Sequence, residues 1–426
     1  MSIGWMLITA LSSASLLAWV VLAFFRGFFW LPGPWLERSR SNASAGRRLD
    51  LPEIWPDVHA IVPARNEATV LEATVSALCA QRYRGRMTLT VVDDQSTDTT
   101  HELLAQLAGE IGQPLSIPAS GTPREGVPLY VVRGRRLPNG WAGKVWAMQQ
   151  GWDDVTARHG TSGARDAFIL FTDADIHHDP GVVEHLVIKA LSEDRDLVSV
   201  MARLRLDSFW DRLLIPAFVY FFAKLYPFRW VASPSRRTSA AAGGCTLVRG
   251  EALQQIEGPK AIASALIDDC ALARAIARQR GDGVLWLGMS RTGSVQSTRC
   301  YGRLTDLWNM VARSAFHQLK HSSVLLAATV VAMLLVYATP LASILVAITA
   351  AVHGAPQPLV GWLPGGVAWM LMTCTYIPIL RTYHVSPVMS FLLPLSALLY
   401  TAMTVTSAFR SWVGRGGAWK GRTYGS

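Results

Sequence analysis

Four uncharged apolar stretches bracket this chain, one at its start (Ile3–Phe25) and three near its end (roughly Val324–Val352, Leu359–Leu380 and Val388–Phe409). Each has the length needed to cross roughly 30 Å of hydrocarbon. They confine any water-soluble fold to the polar block between them. With 50% apolar and only 16% charged residues, the composition excludes an ordinary soluble domain. No basic residue precedes the first run, which argues against a cleaved signal peptide. Positive charges follow it instead, at Arg26, Arg38, Arg40, Arg47 and Arg48. The positive-inside bias then sets the amino end outside and the polar block in the cytoplasm, as a multi-pass protein of the inner (cytoplasmic) membrane.

The net charge of +10 comes without any nucleic-acid-binding pattern. Many of the arginines fall near membrane ends, so attraction to anionic lipid accounts for the charge and no nucleic-acid partner is expected. The five cysteines (Cys79, Cys245, Cys270, Cys300, Cys374) are scattered and odd in number. That spacing excludes a disulfide framework and a zinc site.

The expected organisation is an anchor over 1–26, a linker over 27–56, a catalytic domain over 57–300, an amphipathic interfacial helix over 301–322, three membrane stretches over 323–409 and a basic tail over 410–426. Within the domain, short apolar runs at His59–Val62, Met87–Val92, Leu129–Val132 and Ala167–Thr172 read as strands. Helical patterns over Ala68–Gln81, from Thr99 (with the capping pattern Thr99-x-x-Glu102) and from Lys144 alternate with them. Alternation of this kind implies βαβ units and an α/β domain with a mainly parallel sheet. Gly112–Pro128 reads as a loop. Ser208–Trp230 and Tyr301–Lys320 are apolar and aromatic but carry charges, and both read as helices lying in the headgroup region. One conflict stands: three crossings put the tail outside, whereas Arg410, Arg415, Lys420 and Arg422 want it in the cytoplasm. Either one stretch is re-entrant or the bias fails here.

The acids fall where strands run out. Asp173-Ala174-Asp175 follows the apolar run Phe168–Thr172, and Asp93-Asp94 ends Met87–Val92. The carboxyl edge of an α/β sheet is where ligands bind. An Asp-x-Asp pair suits Mg²⁺ or Mn²⁺ shared with the phosphates of a nucleotide diphosphate. A carboxylate at Asp93-Asp94 can accept from a uracil ring, or can simply cap a turn. Asp268-Asp269 opens a probable helix, where one acid can take a proton from an attacking hydroxyl. Gly140–Lys144 is a glycine-bearing turn whose lysine can reach phosphate, and Gly243-Gly244 permits close backbone approach. Gln296-Ser297-Thr298-Arg299 offers a guanidinium to a leaving diphosphate. His177 and His178 are read as surface-loop residues rather than metal ligands.

In this order the motifs resemble those of the family 2 glycosyltransferases, over about Asp57 to Arg299. The matching pieces are Val62-Pro63-Ala64-Arg65-Asn66-Glu67, Asp93-Asp94, Asp173-x-Asp175, Gly243-Gly244, Asp268-Asp269 and Gln296-x-x-Arg299. The single leading span, the three trailing stretches and Trp419-Lys420-Gly421-Arg422 resemble the hopene-associated members. The resemblance implies a GT-A (nucleotide-diphospho-sugar transferase) Rossmann-like fold, a divalent metal and inverting transfer from a nucleotide-sugar, UDP-linked, to a lipid, possibly a hopanoid. It sets Asp94 against uracil, with Asp93 beside it and Pro63, Arg65 and Glu67 along the nucleoside. Lys144 and Gln296 join the donor site. Asp173 and Asp175 take ribose and metal, Asp269 is the base with Asp268 beside it, and Arg299 steadies the diphosphate. Gly243, Gly244 and Trp308 fall on the acceptor side. The related pattern ends in Arg-Trp, whereas here Cys300 follows Arg299, so the aromatic platform is either missing or supplied by Trp308. A processive polysaccharide synthase and a non-catalytic membrane binding or transport protein are the competing readings. The former needs more spans, and the latter needs charges inside them.

Overall fold

The structure is a computed structural model describing residues 3–37, 52–111, 126–281, 283–354, 359–414, 418–419 and 422–423. Most of the expected linker, the loop after Ile111 and much of the tail lie outside the described residues. Elements are numbered in chain order.

The first helix, α1 (Ile3–Val20), runs on through a π-helical turn, Val21–Phe25. The domain then builds β1 (Val58–Ala64), α2 (Leu71–Cys79), β2 (Met87–Asp93), α3 (Thr100–Ile111), β3 (Leu129–Arg133), α4 (Gly143–Asp166) and β4 (Phe168–Thr172). The short β5 (Ile176–His178), α5 (Val182–Ser192) and β6 (Leu197–Met201) follow. Next come α6 (Phe209–Leu225), α7 (Phe228–Val231), β7 (Cys245–Arg249), α8 (Gly250–Gln255), α9 (Asp268–Arg280), β8 (Leu285–Met289) and β9 (Val295–Ser297). The helix from Thr99 is present, but its amino end is held by Asp98, whose Oδ1 accepts from Thr100 N at 3.0 Å.

Seven strands form one sheet in the order β3-β2-β1-β4-β7-β6-β8. All run in one direction except β7, which is antiparallel to β4 and β6. The strands are buried along their length because both faces are covered. Val58, Ala60, Val62 and Ala64 of β1 enter the core under α2 and α5, while Ile61 faces a second core containing α4 and α6. That second core continues without a break through Tyr220 to Tyr376 and Met403 of the carboxyl-terminal helices.

The helix α6 is therefore the joint between domain and membrane helices. The sequence reading set it in the headgroup region, and in the structure Leu213–Ala217, Val219, Tyr220 and Ala223 are all buried. Its charges are used locally. Ser208 and Asp211 close a capping box (Asp211 N to Ser208 Oγ, 3.1 Å; Ser208 N to Asp211 Oδ2, 2.8 Å), and Lys224 donates to Tyr337 at 2.8 Å. The stretch from Tyr301 forms two short helices, α10 (Leu304–Ala312) and α11 (Ala315–Gln318), burying Leu307, Ala312 and Phe316.

Among the described residues, four helical segments are long and apolar enough to cross a membrane: Ile3–Phe25, Ser323–Val352, Gly361–Thr382 and Pro387–Trp412. They contain α1, α12 (Ser323–Met333) continued by α13 (Thr339–Val352), α14 (Leu359–Thr382) and α15 (Leu393–Trp412). Contacts give their directions. Trp5 near the start of α1 packs on Gly361, and Trp19 near its end meets Val336, so α14 starts at the end of the group remote from the domain. Tyr383, just past α14, lies under the guanidinium of Arg203 in the domain. Trp412 at the end of α15 touches Phe316, and Ser407 accepts from Phe316 N. Both ends of α15 are thus on the domain's side, and its middle rests on α6 through Ser396 and Tyr400. Towards its end, the Arg410 guanidinium donates to Asn309 Oδ1 at 2.9 Å.

Candidate active site

The fold delivers the acids to one edge. Ala64 pairs with Asp93, so β1 and β2 end together, and β4 ends beside them at Thr172. Because β7 runs the other way, Thr172 pairs with its first residue, Cys245, and Gly243-Gly244 arrive at the same edge. The two-stranded ribbon β5–β9 pairs Ile176 with Ser297 and folds Arg299 back over Asp175, where Thr298 N donates to the Asp175 carbonyl at 2.7 Å.

Two cations organise the cluster. The Lys144 ammonium lies 2.7 Å from Asp173 Oδ1 and 2.9 Å from Asp268 Oδ2. The Arg299 guanidinium forks between Asp175 Oδ2 (2.9 Å) and both oxygens of Glu67 (3.0 and 2.8 Å), and Ser297 Oγ donates to the same Asp175 oxygen at 3.2 Å. Asp269 accepts from Gly243 N at Oδ2 (2.9 Å) and from Cys270 N at Oδ1 (2.6 Å). A Cβ placed on Gly243 would sit 3.3 Å from Lys144 Nζ and 3.4 Å from Asp269 Oδ2, which is the backbone approach that a glycine allows.

Charges are not balanced here. Among the described residues, the ion pairs of Glu67, Asp173, Asp175 and Asp268 run to Lys144 and Arg299, and Asp269 lies beside them. Burial, then repulsion from Asp268, pushes the Asp269 carboxyl up to about 6. Burial also raises Asp173, with Asp175 and Asp268 adding to the effect against the pull of Lys144. Burial works against the Lys144 charge, but Asp173 and Asp268 outweigh it and hold the ammonium firmly protonated. The surplus of negative charge is what a divalent cation offsets, and Asp173, 35% exposed, is the most accessible of the ion-paired acids. Among the described residues no group of three or more His, Cys, Asp or Glu side chains could hold a metal unaided. Mg²⁺ and Mn²⁺ need only one or two carboxylates when a substrate's phosphates supply the rest, so Asp173 and Asp175 fit such an ion.

Lys144, Asp173, Asp175, Asp268, Asp269, Arg299, Glu67 and Gly243 are thus brought together. The other expected residues make the following contacts. Arg65 donates to the carbonyls of Asp94 (2.5 Å) and Gln95 (2.7 Å), stapling the ends of β1 and β2. Asp93 accepts from Ser96 N (3.1 Å) and faces His101 (3.5 Å). Pro63 lies within β1, and Asp94 is fully buried beside Gly134. Gln296 is exposed on β9, and Gly244 packs towards Ile176 and Ala202. Trp308 packs into the core shared with the membrane helices. His178 is a buried core residue bonded to Thr172 (2.8 Å) and held down to about 3, chiefly by burial, while the exposed His177 pairs with Asp179.

Sequence reasoning missed two neighbours. Ser297 fixes Asp175. Tyr301 is near enough for Asp175, Arg299 and Asp173 to act on its hydroxyl, and burial above all raises its pKa. Cys300 turns to Asp207 instead. The signal for Tyr301 was an aromatic displaced by one position from where the related pattern has tryptophan.

Residues 59–257 match the family described as Glycosyl transferase family 2. That match covers just under half of the chain, and the mainly parallel α/β fold is of the GT-A type. A 58-residue segment is 48% identical to an N-acetylglucosaminyltransferase of Azorhizobium caulinodans, covering 13% of this chain and 14% of that one. The match therefore spans only about a seventh of that relative's length. Among solved structures, a mannosyltransferase from Pyrobaculum calidifontis in complex with GDP-Man and Mn²⁺ is 17% identical, covering 94% of this chain and 99% of that chain, with a TM-score of 0.45. The glucosyl-3-phosphoglycerate synthase of Mycobacterium tuberculosis with Mn²⁺ and UDP-glucose is 18% identical over 68% and 83% of the two chains, with a TM-score of 0.37.

Proposed function

We propose that this chain is a membrane-bound, metal-dependent inverting glycosyltransferase that moves one sugar from a UDP-sugar to a lipid hydroxyl. The observation that carries the reading is Lys144, whose ammonium ties Asp173 at the end of β4 to Asp268 at the start of α9, beside Asp269. Acids nearly a hundred residues apart are thereby set around one position at the sheet edge.

In the reaction, the acceptor O–H gives its proton to Asp269, the acceptor oxygen bonds to the anomeric carbon, and the bond from that carbon to the diphosphate breaks. Attack opposite the departing group inverts the carbon. The Gly243 and Cys270 N–H groups hold Asp269 in one orientation, and the raised pKa lets it accept a proton near neutral pH. Asp173 and Asp175 would hold a divalent ion, which offsets charge on the leaving diphosphate. Arg299, released from Glu67, adds a second positive group there. Asp94 and the Pro63–Glu67 turn would line the nucleoside.

A lipid acceptor follows from α6 and α15, which set the sheet edge's own core against the membrane helices. A hopanoid is the acceptor supported by the resemblance to hopene-associated transferases. N-acetylglucosamine is the first sugar to try, on the strength of the local match to an N-acetylglucosaminyltransferase. The catalytic domain faces the cytoplasm of the inner membrane, as Arg26 after the first span requires. The test is a panel of radiolabelled UDP-sugars supplied to membranes containing the chain, followed by lipid extraction. Label must enter the organic phase in discrete glycolipids with a divalent ion present. A polymer, or label that stays aqueous with every donor, rejects the reading.

A further inference from the structure

We propose that the chain binds an anionic phospholipid through its phosphate, at a basic site of Arg26, Lys224, Arg236 and Trp230 where the first span meets the domain. Arg26 follows Phe25, the last residue of that span, and so stands at headgroup depth. Its guanidinium is anchored at the carboxyl end of α6, donating to the Lys224 carbonyl at 3.1 Å and the Leu225 carbonyl at 3.0 Å. It lies 5.0 Å over the Trp230 ring, and the Arg236 guanidinium lies 5.2 Å from the same ring. The indole itself is fixed. It packs so tightly on Gly27 (φ +64°) that an added Cβ would fall 2.6 Å from its Nε1.

Two guanidiniums thus share one immobile indole, and Lys224 adds a third cation from inside, over the rings of Phe221 and Tyr337. Among the described residues, no carboxylate lies within ion-pair distance of Arg26, Lys224, Arg229 or Arg236. Elsewhere in the domain such cations find acids: Arg158 has Asp154, Arg249 and Arg280 share Asp196, and Arg299 has Asp175 and Glu67. Burial, then the nearby Arg26, lowers Lys224 to about 8, a cost that an arriving anion relieves.

The rim identifies the anion's source. Phe24, Phe25, Phe28 and Leu225 are large apolar side chains exposed around the cations, and a lipid covers them with acyl chain while its phosphate meets the arginines. A free phosphate would leave them uncovered.

The test is native mass spectrometry of the delipidated full-length chain in detergent, offered phosphatidylglycerol or the zwitterionic phosphatidylethanolamine. Wild type retains phosphatidylglycerol roughly tenfold better, since each basic residue near the surface contributes severalfold. The double variant Arg26→Gln/Arg236→Gln loses that preference, and Arg26→Lys/Arg236→Lys keeps most of it. Equal retention of the two lipids by wild type overturns the proposal, whatever the variants do. So does an undiminished preference in the Gln double variant. Displacement of phosphatidylglycerol by millimolar inorganic phosphate marks a free-anion site instead and overturns the lipid assignment.

Discussion

Replacing Lys144 with methionine keeps the length of the side chain and removes the one charge that holds Asp173 and Asp268 together. Both carboxylates lie within 2.9 Å of the ammonium. Without it, two negative groups face each other across about 5 Å, a repulsion of roughly 3 kcal/mol at an effective dielectric constant of about 20. Asp173 is 35% exposed, so solvent screening reduces this to about 1–2 kcal/mol. The sign with pH follows from the wild-type shifts. Burial and the neighbouring acids already raise Asp173, and losing Lys144 raises it further. One carboxyl then takes up a proton as pH falls, and the repulsion disappears with it. The assay is thermal unfolding of the detergent-purified chain at about pH 8 and about pH 5.5. Lys144→Met should melt a few degrees below wild type at the higher pH, with the gap at least halved at the lower. An equal gap at both values would mean that Lys144 acts through packing and not as an ionic strut.

The remaining expectations concern activity. With Asp269 raised to about 6, the folded chain holds that proton more tightly than the unfolded one, so this group's contribution to stability is lost as pH rises through about 6. The base works only when ionised, so kcat/KM climbs through the same window and levels off above it; a profile flat between about pH 5 and pH 8 contradicts the role. Arg299→Lys replaces a fork that reaches Glu67 and Asp175 at once with a point charge, and kcat should fall on the order of tenfold while the fold survives. Wild-type kinetics in that variant would remove Arg299 from the site. Gly243→Ala pushes a methyl to 3.3 Å from Lys144 Nζ and 3.4 Å from Asp269, and should cost on the order of tenfold in kcat with an unchanged melting temperature. Gly250→Ala is the contrast, because its Cβ would fall 2.0 Å from the Ala164 carbonyl and the chain should fail to fold.

What could be read from residues alone divides along physical lines. The strands β1 to β4 are continuous apolar runs ending in polar clusters, so both their existence and the side of the sheet that binds were legible. The antiparallel β7 was not, because strand direction leaves no mark on hydropathy, and neither was the β5–β9 ribbon, because three residues carry no period. Yet β7 brings Gly243 to the site and β9 brings Arg299. Acids and bases could be listed, but their pairing depends on the register of the ribbon and the start of α4. The packing partners of the helix α6 were not legible for a related reason. An apolar run with charged ends reads alike on a membrane surface and in a core, and only the partners of Asp211 and Lys224 tell the two apart. Hydropathy likewise measures the length of α15 and not its direction, which rests on contacts with Phe316 and Leu214.

The most direct trial of the account is a single turnover of labelled UDP-sugar by purified wild type and Asp269→Asn, each with Mn²⁺ and a total lipid extract. Asn keeps the size of the side chain but cannot take the proton, and its amide must face the Gly243 or the Cys270 N–H. Transfer of label to the organic phase should slow by about 10²–10⁴-fold, with UDP affinity unchanged. Equal rates in the two proteins, or loss of UDP binding in step with the rate, would contradict the claim that Asp269 is the base at this edge of the sheet.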